Sequence, residues 1–324
     1  VDRDDGFDYP GDAIRANFEL PVPHIVWPVG HHAPPGIVTW DVSIPSSRYA
    51  SDRTFLRRYD ISRDDRLRST INLERIAPKS YLSLAGWATQ TLRIGDKQGQ
   101  VPVALPVLDF RRRFAPPLLG GNLELRANTL GILRGEGQDT QRAFAAAQWD
   151  LRRITFGGID ATLTALVRGD TYHSDENALT PTAVYRGEPG WQARGVALAA
   201  IDVKYPLVGP LFGGTQILTP RFQIVAAPPI ENFDIPNEDS RAIDLEDSNL
   251  FALNRFPGYD RIEDGTRFTY GLDWLLERPG WRVSTSIGQS YRLTDKPSLF
   301  PNGTGLTSRT SDIVGRSKVR FRDF

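Results

Sequence analysis

The feature that most limits what this 324-residue chain can fold into is a period-two alternation of apolar and polar side chains, sustained over long runs. Across residues 121–134, Leu123, Leu125, Ala127, Thr129, Gly131 and Leu133 alternate with Asn122, Glu124, Arg126 and Asn128. Successive strand residues point to opposite faces, so such a run is a strand with one apolar and one polar side. The same split recurs with Ile159, Ala161, Leu163, Ala165 and Val167 against Asp160, Thr162, Thr164 and Arg168. It recurs again with Phe268, Tyr270, Leu272, Trp274 and Leu276 against Arg267, Thr269, Gly271 and Asp273, and with Trp281, Val283, Ile287 and Tyr291 against Arg282, Ser284, Ser286 and Ser290. Residues 140–151 are rich in alanine, yet Ala143, Ala145, Ala147, Trp149 and Leu151 alternate with Arg142, Gln148 and Asp150, which predicts strand rather than helix. Strands of roughly 11 to 14 residues exceed the ~5–6 usual in soluble sheets and suit a wall that crosses something.

The connections are sorted by length. Short ones are expected at residues 77–79, 115–120, 156–158, 206–213 and 277–280. Between them in chain order fall the mostly longer, Gly-, Pro-, Asp- and Asn-rich stretches 95–106, 135–139, 169–190, 227–264 and 294–307. Up-and-down barrels of bacterial outer membranes have short periplasmic turns and long extracellular loops, a sorting that a soluble sandwich has no reason to show. Trp191, Tyr205, Trp281 and Tyr291 lie near strand ends, where interfacial aromatic girdles sit. The expected fold is therefore all-β, an antiparallel transmembrane β-barrel, with about eleven strands from Arg66 onward and three weaker ones before it. Thr and Gly on the apolar face keep a soluble antiparallel sheet as the alternative.

No run approaches the ~18–20 apolar residues that a membrane-spanning helix needs, and the first residues do not form a signal peptide. The 39 basic and 39 acidic side chains cancel, which gives no electrostatic footprint for nucleic acid. Cysteine is absent, so disulfides, thiolate metal sites and cysteine nucleophiles are excluded. Methionine is absent too, even at position 1, and the chain is expected to be a piece of a longer protein. Two parts are expected: residues 1–49, a Pro-rich segment, and residues 50–324, a part of the barrel domain. In the first part Pro21, Pro23 and Pro28 remove ladder donors; they would weaken a seam, and are candidate gate residues in a barrel that opens sideways.

Reactive chemistry finds little support. His31 and His32 point apart on a strand, His24 has no ligand-spaced carboxylate, and neither a phosphate loop nor a serine elbow occurs. His173 with Asp170 or Asp175 leaves one reading as a lipid-modifying enzyme open. The carboxylates Glu238, Asp239, Asp244, Glu246 and Asp247 lack the ligand order of a calcium loop. Arg241, Arg255, Arg261 and Arg267 lie in or beside the same segment and would neutralise it internally. Ile235, Leu245, Leu250, Phe251, Leu253, Phe256 and Tyr259 are too apolar to stay in water, so residues 235–267 are expected to fold inward as an ordered cap on a lumen. The cap candidates are Asn237, Glu238, Asp239, Arg241, Asp244, Asp247, Asn249, Arg255, Tyr259, Asp260, Arg261 and Arg267. No catalytic, metal or cofactor-binding residue is expected.

The series Ile-Pro-Asn-Glu-Asp-Ser (235–240), Asp-Leu-Glu-Asp-Ser-Asn-Leu-Phe (244–251), Asn-Arg-Phe-Pro-Gly-Tyr-Asp-Arg (254–261) and Gly-Thr-Arg (265–267) resembles the C-terminal domain of the LptD family of outer-membrane lipopolysaccharide-assembly proteins, also called organic solvent tolerance proteins. The stretch Ala-Ser-Asp-Arg-Thr-Phe-Leu-Arg-Arg-Tyr-Asp (50–60) and the run Gly-Gln-Ser-Tyr-Arg-Leu (288–293) are similar to its alphaproteobacterial branch. The resemblance implies a very large barrel of which this chain holds about half the strands. It also implies a translocon that delivers lipopolysaccharide to the outer leaflet, with three partners: lipopolysaccharide itself, an outer-membrane lipoprotein plug of the LptE type in the lumen, and a periplasmic bridge protein reached through a jellyroll domain outside this chain. A passive porin or receptor barrel shares the fold and stays open as the alternative.

Overall fold

The computed structural model describes residues 14–21, 37–44, 66–91, 96–115, 120–241, 243–295 and 299–321. Fourteen strands form one antiparallel sheet: β1 (Ile14–Pro21), β2 (Ile37–Ile44), β3 (Arg66–Ala77), β4 (Ser80–Thr91), β5 (Val103–Phe114), β6 (Asn122–Leu133), β7 (Asp139–Ile154), β8 (Asp160–Asp175), β9 (Gly190–Lys204), β10 (Leu207–Leu211), β11 (Gly214–Ala227), β12 (Gly265–Arg278), β13 (Trp281–Arg292) and β14 (Val314–Phe321). They are hydrogen-bonded in chain order, except that β9 and β10 both pair with β11, and the order is open. From Arg66 onward there are twelve strands rather than eleven, and two rather than three precede it among the described residues. No helix among the described residues is long and apolar enough to cross a membrane.

Two compact units emerge. The first comprises Val1–Arg113, Leu125–Ala145 and Asp170–Ala193, and the second Phe114–Glu124, Ala146–Gly169 and Arg194–Phe324. In the first, β4 and β5 change register between Ala85 and Trp87. Pro106 was expected in a loop and instead lies inside β5 at this irregularity, where a residue lacking an N–H is tolerated. A Cβ on Gly86 would come within 2.6 Å of Leu105 Cδ1, so the Leu105 side chain packs over the bare backbone at this irregularity. Pro21 closes β1 opposite Ile37, where a missing donor ends the ladder. Pro23 and Pro28 lie outside the described residues, as do His24, His31 and His32.

In the second unit the expected connection 206–213 is mostly strand. The register between β9 and β11 (Lys204 with Arg221) and that between β10 and β11 (Leu207 with Leu218) lie on one line. Tyr205 N–H still bonds Pro220 O at 3.1 Å, so β9 and β10 are one long strand nicked where Pro206 lacks a donor. Its true turn is Phe212-Gly213, both at positive φ, the two-residue geometry that matches strand twist. Pro78-Lys79 and Pro279-Gly280 close two further hairpins in two residues. The longest connections from β4 onward are 176–189, 228–264 and 293–313, the first shorter and the last longer than expected because β8 runs on to Asp175 and β14 begins only at Val314.

Burial along the strands is inverted relative to a soluble sheet. Leu125, Leu163, Val167 (58% exposed), Phe222, Ile224, Leu272 and Ile287 are exposed, while Asn128, Thr164, Arg168, Arg194, Gln223, Arg267, Thr269 and Ser290 are buried. A soluble sheet would bury the first set and solvate the second. An apolar face turned outward and a polar face turned inward is the pattern of a membrane barrel wall, and it removes the soluble alternative. Trp191, Tyr205 and Trp281 are exposed on the apolar face, as interfacial aromatics are. The fold is an all-β antiparallel sheet with the faces of a partial barrel.

Candidate functional site

Residues 228–264 are the long connection between β11 and β12, and their sequence dictates an ordered strap. Two limbs, 230–240 and 257–264, run side by side, yet almost no main-chain pairing joins them. Side chains do it instead. The Asp239 carboxylate accepts the N–H groups of Tyr259 and Asp260 at 3.0 Å, and the Asp260 carboxylate accepts those of Glu238 (2.7 Å) and Asp239 (3.1 Å). This reciprocal clasp uses charge-assisted bonds, the stronger kind. Asn232 bonds both N–H and C=O of Ile262 at 2.9 and 2.8 Å, and the Asp264 carboxylate accepts Ile230 N–H at 2.9 Å. Gly258, at φ +68°, lies where a Cβ would come within 2.3 Å of the Asp239 carboxyl, so no other residue fits under the clasp.

The other candidates take their places around it. Asn237 bonds Ser240 N–H and C=O to close a turn, and Ser240 Oγ accepts Arg261 N–H. Arg241 donates to Asn237 O at 2.7 Å and pairs with Glu238 at 3.3 Å. Arg261 is buried and donates to Ile235 O at 2.7 Å. Asp244 O and Glu246 N–H are both held by Asn249, which makes a second, more exposed turn, and Asp247 pairs with Arg316 of β14 at 2.8 Å. The carboxylates Asp239 and Asp260 are thus turned onto backbone N–H groups, which is the opposite of a cation site. Among the described residues no group of three metal-ligating side chains comes together.

The strap is fastened to the polar face of its own unit. Arg168 of β8 donates to Tyr259 O at 2.9 Å and stacks on its ring, and Arg194 of β9 donates to Tyr259 O and Asp260 O at 3.2 and 2.8 Å. Gln223 of β11 reaches Phe251 O at 2.9 Å, while Arg221, paired with Asp202, lies over the Phe251 ring. Apolar contact adds to this where the inner face departs from polarity: Val196 and Leu166 pack with Ile230 and Ile262. On β12 and β13, Gly271 faces Gly288. Leu250 and Phe251 fill the space that side chains there would occupy, within 2.6 and 3.1 Å of the missing Cβ positions. A second connection joins in, with Phe256 stacked on Phe300 at 4.4 Å and Leu245 N–H bonded to Thr304 O.

Under the strap lies a buried ion triad. Arg255 grips the Glu263 carboxylate with two bonds, one of 2.8 Å, and Arg267 reaches the same carboxylate at 3.4 Å while donating to Ala252 O and Leu253 O. Burial pushes the Glu263 carboxyl up, but the Arg267 charge and the Arg255 bonds outweigh it, and the group sits below the usual carboxylate range. Arg267 belongs to β12, so it holds the strap from the wall rather than forming part of it. Arg282, on the same wall, bridges Glu277 at the short-turn end of its strand pair. His173 packs on Trp191 at 4.9 Å and, by strand parity, lies on the face opposite Asp170.

Several of these residues were beyond sequence reading. Arg168 stood in the polar alternation, but nothing local paired it with Tyr259, 91 positions away. Glu263 lay inside the segment without a motif. Gly271 reads as part of the polar face and Gly288 as part of the run 288–293, although paired glycines facing inward are a signal for something packed against them.

The sequence model of the family described as LPS transport system D, LptD, matches residues 40–324. The chain is 24% identical over 278 residues to the LPS-assembly protein LptD of Thiobacillus denitrificans, covering 78% of this chain and 37% of that one. It is 28% identical over 173 residues to that of Pseudomonas putida, covering 52% and 17%, and 32% identical over 110 residues to that of a Polaromonas species, covering 33% and 13%. The chain therefore spans well under half the length of each of these relatives. The inverted faces, the sorted connections and the strap all lie within the matched residues, and the chain belongs to the LPS transport system D family, LptD.

Proposed function

We propose that this chain is part of an outer-membrane translocon that delivers lipopolysaccharide to the outer leaflet, with residues 228–264 as a cap over the polar, water-filled side of its wall. The observation that carries this is the strap itself: a long connection folded onto the polar face by buried arginines, inside a chain of the LptD family. Such transport needs no bond chemistry. A lipid with a sugar head and acyl tails needs a polar route beside an apolar one, and a wall polar inside and apolar outside offers both. A cap would keep the polar route shut to other solutes. A lipoprotein plug in the lumen and a periplasmic bridge protein are the partners this reading calls for.

In this reading the long connections face the cell exterior and the short turns the periplasm. Asn177 and Asn237 are buried, so the exposed Ala178, Glu246 and Gly280 are the positions to test. Single cysteines at Ala178 and Glu246 should be labelled on intact cells and one at Gly280 should not; the reverse would invert the topology. Deleting residues 237–247 should admit bulky antibiotics while the barrel still inserts, and Arg261→Ala should do so more weakly. An unchanged permeability barrier with normal surface lipopolysaccharide after the deletion would overturn the cap. A passive porin would leave surface lipopolysaccharide intact when the whole protein is depleted.

A further inference from the structure

On the polar face of β13 and β14 the even-numbered residues of β14 form a ladder. Arg316 is opposite Ser286, Lys318 opposite Ser284, and Arg320 opposite Arg282, so cations recur every second residue, ~6.5–7 Å apart, from the short turns toward the strap. The odd-numbered neighbours Gly315, Ser317, Val319 and Phe321 lie on the other face, with Val319 and Phe321 exposed. One strand over, the same rows hold Asp273, Leu275 and Glu277. Four cations thus face two carboxylates, and Glu277 is already engaged by Arg282 at 3.1 Å. The middle rung, Lys318, has only Ser284 and then Leu275 beside it in its row. The top rung is different: Arg316 pairs with Asp247 of the strap at 2.8 Å.

We infer that this ladder is a binding track for the phosphorylated sugar head of a glycolipid, and that the Arg316–Asp247 pair is the latch which that head releases. The inference rests on the export reading above. Lys318 and Arg320 offer donors on a solvated wall, where a phosphate adds several acceptor oxygens to each cation. A phosphate arriving at the top rung competes with Asp247 for the Arg316 guanidinium, and it carries more charge than the carboxylate it displaces. Loss of the pair removes the ionic tie between β14 and the turn held by Asn249, a turn that shares no bond with the Asp239–Asp260 clasp. Arrival of the head and loosening of the cap become one event, and the cap stays latched when nothing anionic is on the track.

The test uses the full-length protein in living cells whose surface lipopolysaccharide is pulse-labelled. Ser284→p-benzoylphenylalanine, irradiated, should give a lipopolysaccharide adduct. Lys318→Gln with Arg320→Gln should cut that adduct about tenfold, and Lys318→Arg with Arg320→Lys should keep it. The same probe at the outward Val283 should not respond to either change. Asp247→Asn and Arg316→Gln should each raise entry of a bulky antibiotic, and the double variant should raise it no further than either alone, since both remove one pair. Heat-modified gel mobility checks that every variant has folded. No adduct at Ser284, or an adduct only to a polypeptide, overturns the track if surface lipopolysaccharide still depends on the protein. Additive effects of Asp247→Asn and Arg316→Gln overturn the latch. Surface lipopolysaccharide that survives depletion of the protein overturns the export reading instead.

Discussion

The two ends of the same strands are built on different principles. At one end β12 and β13 reverse through Pro279-Gly280, and β10 and β11 through Phe212-Gly213, two residues each. At the other end β11 and β12 are joined by residues 228–264, whose order comes from carboxylates, asparagines and arginines reaching partners up to 91 positions away. The short end is fixed by local backbone preference; the long end exists only once the wall has formed. Turns of the first kind can form early and alone, whereas the strap is a late, cooperative structure whose stability is borrowed from the polar face.

The sharpest way to break that contrast is at Glu263. Glu263→Gln leaves two buried guanidiniums without their anion and should destabilise the strap by about 3–5 kcal/mol, while the barrel keeps its heat-modified mobility. Trypsin should then cut after Arg255 and Arg261, which are buried in the native fold. If the mobility of the whole barrel collapses as well, the strap is not separable from the wall. The same carboxylate gives a pH signature. Its folded pKa is lowered, so its stabilisation is complete above the ordinary glutamate value of about 4.3, declines below it, and is lost once pH falls through the lower folded value. Protease sensitivity of the strap should rise over that acid range and return on neutralisation.

Next in size is the wall that both ends share. Leu163→Arg, on the exposed apolar face, should cost ~2–4 kcal/mol in urea unfolding from lipid vesicles, and Thr162→Arg on the polar face much less. Asn128, read from sequence alone, belongs with the tolerant positions, but it bonds Leu108 O at 2.8 Å and Arg142 at 3.1 Å and should not tolerate the change. Smaller again, Gly258→Ala meets both a positive φ and the Asp239 carboxyl, and should loosen the strap by about 1–3 kcal/mol, seen as faster amide exchange at residues 237–240 and 258–261. Least of all, Pro279→Ala should cost only ~0.4–1 kcal/mol, measured in the same vesicle assay, because its effect is on the unfolded chain of a turn that Gly280 still closes.

What could be read from the sequence follows the same division. The strands from Arg66 onward were legible because period two is a local signal that does not depend on the partner strand. The turns at 77–79 and 277–280 were legible through Pro and Gly. The connection at 206–213 was misread because Pro206 looks like an end, whereas it only nicks a strand whose register continues. Order in the strap was legible from its buried apolar residues, such as Ile235, Leu250 and Phe256. Its partners were not, since Arg168, Arg194 and Gln223 are separated from it along the chain and a polar residue on a strand carries no mark of what it will bond. Pro23 and Pro28 lie outside the described residues.

The facing glycines of β12 and β13 have one more consequence. Gly271 meets Gly288 only when the two strands are in correct register, and a slip of two residues would put a side chain of one strand beside each glycine of the other. Leu250 and Phe251 would then find no seat, although most ladder bonds of the slipped pair could still form. The strap thus works as a gauge of workmanship on the wall: it closes over a correctly zipped sheet and stays off a mis-zipped one, leaving the faulty product marked by an exposed apolar loop.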